Sequence, residues 1–225
     1  MTGQLAFELP LQQAFRRADF FTSPASAAGL AAVDGWRDWP GGKMLLVGPV
    51  GSGKTHLSHI WADAVGAVLM AAPDLAQSDL PTLAARGAVC VEDGEAVAGQ
   101  PDAEAAFFHL HNMLLPAGRL LITAKSPPRD WGLALPDLHS RLQAGALTRL
   151  EAPDDALLSA VLIKLFADRQ IAVPPNLIAY LVSRIERSIA AAREVVAALD
   201  ARALAAGRPI TRALAAELMD SASQQ

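Results

Sequence analysis

The sequence predicts an α/β protein. It has a parallel sheet with crossover helices over residues 15–150, followed by a small all-helical lid over 151–225. Three observations carry this reading. Short, nearly unbroken apolar runs alternate with stretches of helical period up to residue 150. A glycine-rich loop of phosphate-binding type joins one such run to one such helix. Beyond Leu150-Glu151-Ala152-Pro153 only helical patterns occur.

Taken in order, residues 1–14 read as a tail. Gln4-Leu5-Ala6-Phe7-Glu8-Leu9-Pro10-Leu11 carries apolar residues at 5, 7, 9 and 11. That alternation suits an extended peptide seating its side chains in pockets, or an N-terminal strand of the parent domain. Strands are expected at 43–47, 67–71, 88–92 and 119–123, each rich in Val, Leu, Ile or Ala, as parallel strands covered on both faces require. Residues 102–115 place apolar side chains at 106, 107, 110, 113 and 114, a helical period. In the lid, Leu157, Leu158, Val161, Leu162, Leu165 and Phe166 form one stripe along 154–169. Pro174-Pro175 opens the next helix. Ser188 caps a third that ends at Gly207, and Thr211 caps a fourth with Leu214 and Leu218 on one face.

Composition excludes several classes. No apolar run approaches the ~18 residues of a membrane span. The start, Met1-Thr2-Gly3-Gln4, lacks the basic and apolar regions of a secretory leader, and the single Cys90 sits in an apolar run. A cytoplasmic protein without disulfides is therefore expected. The net charge is −4, and the lid sets eight basic residues against nine acids. DNA contact is accordingly expected to be weak or indirect. His109 and His111 are two apart and cannot face each other on a helix. His56 and His59 can share a face, but no further ligands accompany them, so no metal beyond a nucleotide-bound Mg²⁺ is expected.

The chemistry starts at Gly48-Pro49-Val50-Gly51-Ser52-Gly53-Lys54-Thr55, which fits G-x-x-x-x-G-K-[ST]. Its glycines let backbone N–H groups converge on a phosphate. Lys54 supplies a point charge, and the Thr55 hydroxyl is placed to ligate Mg²⁺. The bland alternative is a glycine turn that carries a lysine. The flanking strand and helix favour a nucleotide, ADP or ATP, held by Gly48, Val50, Gly51, Ser52, Gly53, Lys54, Thr55 and His56. Val89-Cys90-Val91-Glu92-Asp93 is an apolar strand ending in two acids. Glu92 is expected at the metal position with Thr55, and Asp93 at the water-orienting position. That order reverses the commoner Asp-then-Glu. Two arginines stand out. Arg141, just before the lid, is either a surface residue or one that projects across an interface onto a neighbour's γ-phosphate. Arg193, within the lid, either pairs with a nearby acid or reaches the chain's own nucleotide.

Together these features resemble the AAA+ class. Phe107-Phe108-His109-Leu110-His111-Asn112, Leu120-Leu121-Ile122-Thr123, Pro127-Pro128-Arg129 and Leu135-Pro136-Asp137-Leu138-His139-Ser140-Arg141-Leu142 resemble the AAA+ domain of the DnaA replication-initiator family, and most of all its short Hda-type branch. The resemblance covers roughly residues 15–220. It implies an AAA+ P-loop core with a helical lid, Arg141 as arginine finger and Arg193 as sensor II arginine. Residues 4–9 are similar to the family's hexapeptide for the DNA polymerase III sliding clamp, with Gln4 in a polar subsite and Leu5, Phe7 and Leu9 as apolar anchors. The implied activity is regulatory: docked on the clamp, the chain engages ATP-bound DnaA and stimulates its hydrolysis, which prevents re-initiation. With the lid ending near 220, an origin-reading domain is not expected, and a homodimer is open to the chain.

Two departures bear on hydrolysis by the chain itself. Lys125 stands where full-length initiators carry an acid in the sensor I turn, and Gly145-Ala146 replaces an aromatic-containing stretch. With Glu92 at the metal position, weak or absent intrinsic hydrolysis is expected. The main alternative is an AAA+ ATPase that loads a helicase or assists transposition and binds single-stranded DNA. A P-loop kinase and a clamp-tethered module without catalytic effect are further alternatives.

Overall fold

The computed structural model describes Arg17, Phe20 and residues 22–115 and 117–222. The expected clamp-binding residues Gln4, Leu5, Phe7 and Leu9 lie outside the described residues.

A helix, α1 (Pro24–Asp34), leads into β1 (Lys43–Val47), α2 (Lys54–Val65), β2 (Val68–Ala71), α3 (Leu80–Ala85) and β3 (Ala88–Glu92). Then come α4 (Pro101–Leu114), β4 (Arg119–Ala124), α5 (Pro136–Gln143) and β5 (Ala146–Arg149). Among the described residues the sheet has five strands in the order β2-β3-β4-β1-β5, and every pairing is parallel. Strand β1 lies between β4 and β5 and is buried along its whole length. That burial explains why Met44–Val47 is a continuous apolar run with no alternation.

The period-2 geometry of the strands divides the core. Leu45, Val47, Val89, Val91, Leu120 and Ile122 point to one face and pack with Phe107 and Leu110 of α4 and Leu138 and Leu142 of α5. Met44, Leu46, Cys90 and Leu121 point to the other, against Leu57, Ile60 and Trp61 of α2. Cys90 is fully buried there, as a small core residue.

Strand β5 was not expected. Its four residues, Ala146-Leu147-Thr148-Arg149, show no apolar run, and Leu147 is exposed. It forms because β1 would otherwise present an unpaired edge, and it covers that edge in the register Met44↔Ala146 to Val47↔Arg149.

Four helices follow: α6 (Asp155–Asp168), α7 (Pro175–Val182), α8 (Ile189–Ala206) and α9 (Arg212–Ala222). They enclose their own core of Leu158, Leu162, Phe166, Leu177, Leu181, Val196, Leu199 and Leu214. The caps fall where residue types require them. Leu157 N donates to Asp154 at the start of α6, and Ala191 N donates to Ser188 at the start of α8. Gly207, left-handed at φ +60, ends α8. Among the described residues no helix is long and apolar enough to cross a membrane.

Candidate functional site

The glycine-rich loop runs from the C-terminal end of β1 to the first turn of α2, at the carboxyl edge of the sheet. Gly51 and Gly53 are left-handed, at φ +75 and +98, a conformation that side chains resist. Gly48 is constrained differently. A Cβ there would stand 2.5 Å from the Leu150 carbonyl, so only glycine lets the chain leaving β5 pass over the loop. No side chain caps α2 at Gly53. The free N–H groups of its first turn and its positive end therefore make an anion site.

Lys54 is buried, and its Nζ donates to the carbonyls of Gly48 and Pro49, 2.8 Å from each. The lysine thus stands across the mouth of its own loop. Burial lowers its pKa, while the charges of Asp93 and then Glu95 oppose that shift, and Lys125 adds to it. These four side chains share one field. Among the described residues Ser52 Oγ is buried without a hydrogen-bond partner, an orphaned polar atom within the loop. Thr55 is exposed on the first turn of α2. Val50 is exposed at the loop's tip, and His56 meets Phe20 edge-on, ring centres 5.2 Å apart.

The two acids of the β3 end differ in setting. Ser58 Oγ lies 2.8 Å from Glu92 Oε1 and 2.9 Å from the Thr55 carbonyl, and its single proton serves both. Ser58 thereby brings the Glu92 carboxylate against the turn that carries Thr55. This hard-oxygen pair suits Mg²⁺ held mainly through water. Asp93 turns away from the strand into the left-handed region at φ +52, and its N–H donates to Thr123 Oγ1 on β4 at 3.3 Å. Asp93 is exposed. The Lys125 N–H donates to Glu95 Oε1 at 3.1 Å, while Glu95 Oε2 is buried and unpartnered.

The lid meets the loop directly. Ile189 N, at the start of α8, donates to Gly51 O at 3.1 Å. A Cβ on Gly51 would fall 2.4 Å from Ser188 Cβ. Arg193 lies four residues after Ile189, so it shares the helix face that touches the loop. It is half-buried, and burial lowers its pKa. Arg141 lies in the last turn of α5 and is exposed.

The loop residues, Thr55, Glu92 and Asp93 thus come together, with the lid face bearing Arg193 beside them. Arg141 sits on a different helix. Sequence reasoning missed Ser58, Glu95, Phe20 and the Ser188-Ile189 contact. Ser58 carried a usable signal, since it lies four residues after Lys54 and so on the same face of α2. Among the described residues no cluster of three or more His, Cys, Asp or Glu could hold a metal ion.

No family model matches the sequence. In three dimensions the chain is similar to domain III of the Thermotoga maritima replication initiation protein DnaA, with a TM-score of 0.80 at 17% identity over 95% of this chain and 98% of that one. A replication initiator DnaA bound to AMPPCP and single-stranded DNA matches with a TM-score of 0.72 at 16% identity, over 84% of this chain and 66% of that one. The Thermotoga maritima RuvB Holliday junction branch migration motor gives 0.61 at 17% identity, over 88% and 66%. The chain therefore spans just under two thirds of those two proteins. At such identities the shared property is the fold. The parallel five-stranded sheet with flanking helices is that of the AAA+ P-loop NTPases.

Proposed function

We propose that this chain is a nucleotide-binding AAA+ regulator of replication initiation, of the Hda type. It holds ADP or ATP, with Mg²⁺, in the Gly48–Thr55 loop. Its tail, through Gln4, Leu5, Phe7 and Leu9, docks on the DNA polymerase sliding clamp. Arg141 then completes the nucleotide site of ATP-bound DnaA in trans and stimulates its hydrolysis.

The observation that carries the nucleotide half is the loop itself. An uncapped helix end, two left-handed glycines, a buried lysine and, among the described residues, an unpartnered serine hydroxyl are gathered in this one loop. When bound, the nucleotide would supply phosphate charge and Mg²⁺ a hard cation between the loop and the lid. Gly51, Gly53 and Lys54 would hold phosphate, Thr55 and Glu92 would hold the ion, and Arg193 would reach the phosphates from α8. Support for the trans half comes from the placement of Arg141. It is exposed at the end of α5, whereas Arg193 lies on the helix face that touches the chain's own loop.

Intrinsic hydrolysis is weak in this reading. Glu92 is already engaged by Ser58, Asp93 is held off the strand direction, and the turn after β4 offers the cation Lys125 where an acid would orient water.

The test is ATP hydrolysis by the cognate DnaA with clamp-loaded DNA, in the presence of wild type, Arg141→Ala or Gln4→Ala. Stimulation by wild type alone is expected. Full stimulation by Arg141→Ala would refute the finger. No stimulation by wild type, with salt-sensitive single-stranded DNA binding, would instead favour a loader ATPase.

A further inference from the structure

The first residue of β1 is a lysine that no nucleotide role uses. Lys43 is 6% exposed, at the end of a strand that is otherwise entirely apolar. Among the described residues no carboxylate serves it. Its Nζ lies 3.1 Å from His111 Nε2 and donates to the carbonyl oxygen of Arg141. His111 is 5% exposed on α4, and its Nδ1 faces Asn112 Oδ1 at 3.4 Å. Burial, and then the neighbouring charge of Lys43, hold the imidazole pKa down at about 4. The ring is therefore neutral near pH 7. Its partners assign the tautomer: Nδ1–H donates to Asn112, and Nε2 accepts from Lys43.

The carbonyl that Lys43 takes is one the helix leaves over. At the end of α5, Ala144 N donates to Ser140 O, and Gly145 N donates to Leu142 O. Arg141 O is skipped, as last-turn carbonyls are. A lysine at a helix C-terminus also complements the negative end of the dipole. Room for the lysine stem depends on Gly145, where a Cβ would lie 2.9 Å from Lys43 Cε.

The other end of α5 is gripped from α4, the helix that carries His111. Glu104, 1% exposed, accepts from Leu135 N at 2.7 Å and from Ala134 N at 3.2 Å, just before α5 begins. Glu104 and His111 are seven residues apart and so share one face of α4. Two buried polar anchors therefore fix α5 at its entry and at its exit, and the exit anchor is bonded to the main chain of Arg141 itself.

We propose that Lys43, oriented by His111, is a positioning residue for Arg141. It holds the last turn of α5 at a set place on the sheet, so that the exposed guanidinium is presented in one geometry. This rests on Arg141 acting in trans, as proposed above. An apolar residue at position 43 would fill the space without a buried charge, but it would leave the Arg141 carbonyl unbonded and the turn free to fray.

The test compares wild type, Lys43→Met, His111→Gln, Arg141→Ala and the double variant Lys43→Met/Arg141→Ala in two measurements. In the DnaA hydrolysis assay, Lys43→Met is expected to lower the maximal stimulated rate about tenfold while changing the half-saturating concentration less than about twofold. His111→Gln, which keeps an acceptor for the lysine, stays near wild type. The double variant is no worse than Arg141→Ala alone. An undiminished rate in Lys43→Met, or a further loss in the double variant, overturns the proposal. In amide hydrogen exchange, Lys43→Met is expected to speed exchange over residues 142–145 by about tenfold, with the rest of the sheet unchanged. Unchanged exchange there overturns the anchoring regardless of activity. If wild type fails to stimulate at all, the function reading fails, and exchange alone decides whether Lys43 holds the turn.

Discussion

Replacing Gly51 by alanine puts a methyl group where the lid sits. The new Cβ would lie 2.4 Å from Ser188 Cβ and 3.1 Å from Ile189 N, whereas carbon atoms rest at about 3.5–4.0 Å. The backbone at φ +75 is also one that alanine resists, at a cost of about 1–2 kcal/mol. Overpacking of this kind costs about 1–3 kcal/mol more. The lid relieves the clash by backing away, which breaks the Ile189 N to Gly51 O hydrogen bond, worth about 1 kcal/mol. Most of the penalty then falls on the closed arrangement, in which α8 and Arg193 lie against the loop. Nucleotide affinity should drop by at least about 1.4–2.8 kcal/mol, ten- to a hundredfold, while the sheet stays folded. Calorimetric titration with ATP and ADP measures the affinity. Thermal unfolding with and without nucleotide gives the linked loss of ligand stabilisation. Adding Ser188→Gly, which removes the opposing Cβ, should recover the steric share only. An affinity for Gly51→Ala within about twofold of wild type would refute the idea that lid closure over this loop contributes to binding.

Three other outcomes are expected. Lys54→Ala should weaken nucleotide binding by at least about 1.5–3 kcal/mol, the worth of a hydrogen bond to a charged group; retained affinity in the same titration would mean that backbone and lid hold the ligand. His111, with a folded pKa of about 4 against an ordinary 6.5, makes stability depend on acid. Its contribution is fully present above pH 6.5 and is lost as pH falls through 4, because the unfolded ring takes a proton first. The loss amounts to as much as about 3 kcal/mol. Urea unfolding across that range should show it, and His111→Gln should flatten it; burial sets the direction, and the neighbouring cations Lys43 and Arg141 add to it. Gln4→Ala and Leu5→Ala should abolish clamp binding in surface plasmon resonance with no change in melting temperature, and unchanged affinity would return the tail to ordinary packing.

Much of this architecture was legible from residue pattern because short-range physics dictates it. The apolar runs at 44–47 and 88–91 suit strands covered on both faces. Ser188 and Gly207 bracket α8 because a serine oxygen satisfies a first-turn N–H and glycine accepts the left-handed exit. The left-handed turn of the glycine-rich loop was readable for the same reason, since its glycines act through their own local backbone.

Tertiary structure decided what depends on partners distant in sequence. Ala146-Leu147-Thr148-Arg149 is a strand only because β1 has an edge to cover. Ser58 matters to the site because β3 ends with Glu92 beside it, 34 residues away. Lys43 reads as the polar start of a strand until the fold brings it to the carbonyl of Arg141, 98 residues on. The sequence by itself determined the sheet-and-lid plan and the turn of the glycine-rich loop, because periodicity, capping and glycine conformation are local. Only the folded chain decided which acid faces Lys54, which glycine admits the lid and what holds Arg141, because buried polar groups take whichever partner the packing supplies.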